Sequence, residues 1–159
     1  MTTDAIRQFR DDHYFLSMFY PHPLIYNGIT WPDGEHAFQY AKIACATPVN
    51  EKALNAIRFA PTALAARRLG RSFPYVAASW EPQKLSVMTA INRAKFADPT
   101  LRNLLLATGT KLLEEGNRWH DTFWGICPPS SGIGENHLGR ILMSLRDEFF
   151  AEAIASGSH

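Results

Sequence analysis

The sequence predicts an α+β fold that is predominantly helical, with a small β hairpin. Three observations lead there: a turn signal between two short apolar runs near the N-terminus, a succession of capped helical segments through the middle, and a long apolar-faced segment at the C-terminus. No internal repeat, long linker or low-complexity segment interrupts them.

The elements follow in order. Phe15 to Tyr26 is aromatic and broken by Pro21 and Pro23, a pattern of short strands and turns. Asn27-Gly28 separates Leu24-Ile25-Tyr26 from Ile29-Thr30-Trp31. Asn-Gly tolerates the positive φ angles of a tight hairpin turn, so a hairpin is expected. Pro32-Asp33-Gly34 then leads into a helix over Glu35 to Cys45, with Asp33 placed to cap it. Asn50 to Arg58 is a second helix. Pro61 opens a third, ended by Gly70. A fourth runs from Ser79 to Phe96 with Pro82 in its first turn and Leu85, Met88 and Ile91 as its apolar stripe. Asp98-Pro99 caps a fifth, Thr100 to Ala107, closed by Gly109. Lys111 to Glu114 is a short strand. Gly116 to Gly134 is a long loop rich in Trp and Phe, a length that usually signals function. The last helix spans about Asn136 to Ala153, with Leu138, Ile141, Leu142 and Leu145 inward.

A chain of 159 residues fits one domain, taken here as residues 1–159 with an ordered core over about 13–153 and loose ends, including the polar tail Ala155 to His159. Lys and Arg number 16 against 15 Asp and Glu, a formal net charge of +1. Such balance gives no general pull toward DNA or membrane, while leaving room for a specific anion pocket. Two cysteines, Cys45 and Cys127, are too few for a disulfide framework and form no C-x-x-C pair. Met1 to His13 carries mixed charges, unlike a signal peptide, and no apolar run approaches the roughly 20 residues of a membrane span. Cytoplasmic residence is the expectation.

Several residue groups can carry chemistry. Glu35, Gln39 and Lys42 share one face of the first helix, since Glu35 and Lys42 lie two turns apart. Such a stripe is either a solvated face or, given the apolar neighbours Ala37, Phe38, Ala41 and Ile43, a recessed polar site. Trp80, Trp119 and Trp124 stand in or beside turns, as core anchors or as flat walls for a base or ribose. Asp121 is either a turn-forming residue or a carboxylate facing a pocket. Gly132-x-Gly134-x-Asn136-x-x-Gly139 leads into the last helix, where backbone amides can meet an anion. Arg67, Arg68 and Arg71 cluster near the end of the third helix, as a solvated face or a phosphate grip. His22, His36, His120 and His137 show no metal-ligand spacing; His36 is expected packed or capping and the others at the polar surface. No metal is implied.

Taken together, these residues resemble the NADAR family, which includes N-glycosidases acting on riboflavin biosynthesis intermediates and hydrolases of ADP-ribosyl-guanine. Phe15-Leu16-Ser17-Met18-Phe19 resembles the family's F-x-S-N-F motif. Trp31-Pro32-Asp33-Gly34-Glu35-His36-Ala37-Phe38-Gln39 with Lys42 resembles its W-P-x-x-E-H-x-F-Q-x-x-K helix. Gly70-Arg71, Trp80 with Lys84, Met88 and Lys95-Phe96, Leu104-Leu105-Leu106-x-Thr108, Asp121-x-x-Trp124-Gly125, and Gly132-x-Gly134-x-Asn136-x-Leu138-Gly139-x-x-Leu142-Met143 follow in family order. The resemblance spans about Phe15 to Arg146. Met18 stands where the family usually has Asn, and Ile133 and Glu135 occupy loop positions that are basic in some relatives.

The resemblance implies an N-glycoside hydrolase that cleaves the bond between an exocyclic amine nitrogen and C1 of ribose or ADP-ribose. Its substrates would be ribosylamino-pyrimidine phosphates of riboflavin synthesis or ADP-ribosylated guanine in DNA or RNA, with no cofactor. Ribosylamines open to imines, so Lys42 can exchange with the base to form a Schiff base, with Glu35 shuttling protons and Asp121 orienting the ribose or the lysine. A direct route through two carboxyl groups is the alternative. Trp80 would stack on the base, and Trp124, Gly125, Arg71, Gly134, Asn136 and Gly139 would complete the binding site. A competing class is a non-catalytic ADP-ribose or NAD-binding module; the presence of Glu35, Lys42 and Asp121 together favours an enzyme.

Overall fold

The computed structural model describes residues 4–157; Met1 to Thr3 at one end, and Ser158 and His159 of the expected loose tail, lie outside the described residues. Helices dominate and the strands are short, as expected of a helical α+β fold. Chain contacts divide the protein into two compact units, residues 18–95 and residues 4–17 with 96–157. No helix among the described residues is long and apolar enough to cross a membrane.

The unit of residues 18–95 begins with the hairpin. Strands β2 (Leu24–Tyr26) and β3 (Ile29–Trp31) pair antiparallel, Leu24 opposite Trp31. Asn27 and Gly28 have φ of 51° and 73°, the left-handed values a two-residue hairpin turn requires. Helix α1 (Gly34–Ile43) follows, then α2 (Glu51–Arg58), α3 (Ala63–Ser72), α4 (Ala77–Trp80) and α5 (Lys84–Lys95). Asp33, Asn50 and Thr62 each cap a helix by accepting a backbone N–H three residues on. Helix α1 is central, packing on α2, α3 and α5. Ile43, Ala53, Leu54, Ile57 and Ala66 form an apolar cluster, flanked by Tyr40, Ala60, Leu69 and Phe73.

Several boundaries differ from expectation here. Helix α1 stops at Ile43 instead of reaching Cys45, and α3 starts at Ala63 and runs two residues past Gly70. The segment expected as one helix from Ser79 is two. Pro82 has no N–H to continue the ladder, so Gln83 N donates to Trp80 O in a tighter turn, and α5 starts afresh. The inward stripe of α5 is Val87, Met88 and Ile91, while Leu85 is exposed. Met18, the departure from the family pattern, is buried: its Sδ accepts from Asn92 Nδ2 at 3.5 Å and covers Gly34.

The other unit pairs β1 (Ala5–Ile6) with β4 (Leu112–Leu113) in parallel, and packs α6 (Pro99–Ala107) and β4 on α7 (His137–Gly157). The chain ends are therefore more ordered than expected. Ile6 and Phe9 are buried, and Arg7 Nη1 donates to Glu114 Oε1 at 2.6 Å, so residues before 13 belong to the fold. Likewise, α7 runs through Ala155 to Gly157. Its inward positions are Leu138, Leu142, Leu145 and Phe149, and Ile141 is half-buried.

Candidate active site

Helix α1 positions the expected acid, amide and amine. Asp33 fixes its start: Oδ1 accepts from His36 N at 2.9 Å and from His36 Nδ1 at 2.8 Å. His36 Nε2 faces Ala60 O at 2.9 Å, so the buried ring caps and packs as expected. Burial opposes a charge on this imidazole. The Asp33 hydrogen bond, the Ala60 carbonyl and the charges of Asp33 and Glu35 outweigh it, and the pKa is raised.

In the same first turn, Glu35 is 3% exposed, so the polar stripe is recessed rather than solvated. Its Oε1 accepts from Gln39 Nε2 at 2.8 Å and from Arg67 Nε at 3.0 Å, and Oε2 from Arg67 Nη2 at 3.4 Å. Two-pronged pairing with a guanidinium fixes the plane of the carboxylate as well as its charge. The guanidinium lies 4.2 Å from the centre of the Phe19 ring, which holds it from the other side. Gly70 makes this possible. A Cβ there would sit 2.0 Å from Gln39 Oε1 and 2.6 Å from its Cδ, so glycine leaves the Gln39 side chain the room it occupies beside Glu35.

Lys42 is half-buried at the far end of the stripe, with Nζ 5.4 Å from the centre of the Tyr75 ring. Burial lowers its pKa; attraction to Glu35 raises it, and repulsion from Arg71 and Arg67 lowers it further, leaving a net decrease. A cation already disfavoured by desolvation and flanked by two arginines is the environment in which a lysine supplies a neutral amine. Arg71, in the last turn of α3, is exposed and close enough to Lys42 to be felt electrostatically. Glu35, Gln39, Lys42, Arg67 and Arg71 thus form one constellation on α1 and α3.

Arg67 is the residue the sequence reading missed. The sequence groups it with Arg68 and Arg71 as a solvated face or a phosphate grip, not as the partner of Glu35. The available signal was Gly70 three residues later, which marks the α3 face that comes nearest to α1. Lys95 was also passed over. It is 1% exposed, with Nζ 5.7 Å from the centre of the Tyr20 ring. Burial pushes its pKa down to about 7, against the opposing attraction of Asp33.

Trp80 does not sit as expected. It is 3% exposed and packs edge-to-face on Phe38 at 5.2 Å between centroids. A ring so covered has no open face for a base, and the core-anchor alternative describes it.

The remaining expected residues lie in the other unit. Asp121 Oδ1 accepts from Phe123 N at 3.1 Å and Trp124 N at 2.8 Å, a turn that stiffens the long loop and leaves Oδ2 outside it. Trp124 is half-buried, edge-on to Phe123, and His137 packs on Phe123 at 4.4 Å, so His137 is less of a surface residue than expected. The glycine loop serves packing rather than an anion. The amides of Glu135, Asn136, His137 and Leu138 donate to the carbonyls of Thr122, Gly125, Phe123 and Trp124, so the start of α7 is already satisfied. A Cβ on Gly134 would lie 2.2 Å from Gly125 O, one on Gly125 2.0 Å from Glu115 O, and one on Gly139 2.1 Å from Leu113 O. Asn136 is buried at φ 53°, accepting from Glu115 N at 3.0 Å and donating to Leu113 O at 2.9 Å. These four residues hold β4, the loop and α7 together.

Comparisons with known proteins agree with this architecture. The family model of the NADAR domain matches residues 6–150. The protein named N-glycosidase YbiA of Shigella flexneri serotype 5b is 38% identical over 145 residues, covering 89% of this chain and 85% of that protein. A riboflavin biosynthesis protein of Vibrio vulnificus is 38% identical over 141 residues, covering 87% of this chain and 36% of that protein. The NMR structure of Escherichia coli YbiA superposes with a TM-score of 0.79 at 36% identity, covering all of this chain and 91% of that one. With a family match over nearly its whole length, this chain belongs to the NADAR domain family.

Proposed function

We propose that this chain is an N-glycosidase that hydrolyses the bond between an exocyclic amine nitrogen and C1 of a ribose, with Lys42 as the attacking amine and Glu35 as its proton partner. The observation that carries this is the α1 stripe, where a buried carboxylate held by Arg67 and Gln39 lies two turns from an amine whose pKa is depressed. The names of the YbiA and riboflavin-pathway relatives support the same bond type.

The chemistry balances without a cofactor. A ribosylamine opens its ring to an imine at C1. The neutral Lys42 Nζ adds to C1, and the aglycone amine takes up a proton and leaves, so the imine now joins C1 to Lys42. Water then adds to C1, Glu35 relays its proton, and the carbon–nitrogen bond to Lys42 breaks to release the free sugar and the original amine. Asp121 is assigned to the ribose hydroxyls, Arg71 to a phosphate and Trp124 to a flat face of the substrate. The substrate class includes ribosylamino-pyrimidine phosphates and ADP-ribosylated guanine in DNA or RNA, met in the cytoplasm. A net charge of +1 fits recognition of one modified nucleotide better than of a long nucleic-acid track.

The test offers purified protein both substrates side by side and follows release of the free amine. Turnover of at least one is expected. Saturable binding of ADP-ribose with no turnover of either substrate would instead indicate a binding module.

A further inference from the structure

We propose that the cavity between the α1–α2 connection and the segment before α4 is the subsite for the aglycone, a planar hydrogen-bonding amino-heterocycle, with Tyr75 as the wall it shares with Lys42. This rests on the N-glycosidase function proposed above.

The cavity measures about 520 Å³ and is lined by Thr47, Val49, Asn50, Glu51, Tyr75 and Val76, among others. That volume lies within the range of small-molecule sites and accommodates a one- or two-ring base. Its position follows from Tyr75. The same ring that lines the cavity stands 5.4 Å from Lys42 Nζ, so a group resting here is next to the amine. The cavity also starts at Ala46, one turn beyond Lys42 along the chain, where Ala46 N still donates to Ile43 O. A substrate whose C1 is at Lys42 can therefore extend its leaving group past the end of α1.

The walls are tied to each other. Val76 N donates to Cys45 O at 2.9 Å, and Gln83 Nε2 reaches Cys45 Sγ at 3.3 Å. This joins the segment carrying Tyr75 and Val76 to the one carrying Thr47 and Val49. The lining chemistry selects the class of occupant. Tyr75, Val49 and Val76 are large apolar or aromatic side chains left exposed, which suits the faces of a planar ring. Thr47 and Glu51 offer oxygen acceptors for ring N–H and amino groups. Glu51 and the absence of a basic side chain from the lining residues disfavour phosphate, so the sugar-phosphate end of the substrate belongs elsewhere, on the side of the arginines.

Product inhibition separates the two ends of the substrate. Wild-type protein and Val49→Trp, which fills the cavity from an exposed position, are assayed on a ribosylamino-pyrimidine phosphate with free aminopyrimidine or ribose 5-phosphate as inhibitor. Val76→Trp fills the cavity from the opposite wall and repeats the test. Both variants are expected to raise KM and the inhibition constant of the free base tenfold or more, with that of ribose 5-phosphate unchanged. Unaltered base inhibition in both filled variants, or weakened inhibition by the sugar phosphate alone, would overturn the assignment. A wild-type protein that turns over neither the ribosylamino-pyrimidine phosphate nor ADP-ribosylated guanine would instead remove the N-glycosidase function on which the assignment depends.

Discussion

Arg67 on α3 grips Glu35 on α1 with two donors, Nε to Oε1 at 3.0 Å and Nη2 to Oε2 at 3.4 Å, across 32 residues of sequence. The pair does two things at once. It compensates a carboxylate that is almost fully buried, and by engaging both oxygens it fixes the plane of that carboxylate.

Two substitutions separate those roles. Arg67→Met removes the charge partner and two hydrogen bonds, and stability is expected to fall by about 2–3 kcal/mol, the scale of hydrogen bonds to a charged group. Glu35→Gln keeps the shape of the side chain and an oxygen for Arg67, so the fold should survive while kcat falls by roughly 10²–10⁴. Thermal melts and steady-state kinetics on both variants check this. Near-normal turnover by Glu35→Gln would make Glu35 a purely structural member of the α1–α3 contact.

Trp80→Ala is expected to act on the fold. Removing a buried indole costs about 3–5 kcal/mol through lost burial and the cavity left against Phe38. The denaturant midpoint should fall sharply, and KM should stay close to wild type in the fraction that remains folded. A selective loss of substrate affinity with normal stability would restore the base-stacking role first expected of this residue.

What the sequence revealed was local. The Asn27-Gly28 turn and the Asp33 cap announce themselves because one residue and its near neighbours decide the geometry. The Glu35–Lys42 stripe was visible for the same reason, from helical spacing alone. Pairings made at a distance were not. A short strand over Lys111 to Glu114 was legible, but its parallel partner β1 contributes two residues, too few for a period, and the Arg7–Glu114 contact closes over 107 residues. The glycine loop before α7 misled because glycines that expose amides to an anion and glycines that let carbonyls approach look identical in sequence. The difference lies in the four carbonyls of residues 122–125 that already accept those amides. Arg67 was hidden because an arginine on an amphipathic helix usually faces water.

Lys95 gives a pH signature. Its pKa is pushed down to about 7 in the fold against 10.5 for an ordinary lysine, so between those values the unfolded chain holds a proton that the native state lacks. Stability must therefore rise with pH through that window from this group alone, and the cost of charging the buried amine is fully present below it. Lys95→Met removes that dependence. The stability of this variant relative to wild type should be most favourable near pH 6 and decline steadily toward pH 10. A difference that does not change with pH would mean the buried amine keeps an ordinary lysine pKa.

The central claim is that Lys42 is the nucleophile. Its amine is disfavoured as a cation by burial and by the nearby arginines, so kcat/KM should rise with pH along a limb that lies below the range of an ordinary lysine. Lys42→Arg keeps the charge but cannot form an imine, and it should lose both turnover and adduct. The most direct measurement is borohydride trapping during turnover of a ribosylamine, followed by mass spectrometry of the peptide containing Lys42. The account predicts a reduced sugar adduct on Lys42 that disappears in Lys42→Arg; rapid turnover with no adduct, or an active arginine variant, would contradict it and leave direct hydrolysis as the route.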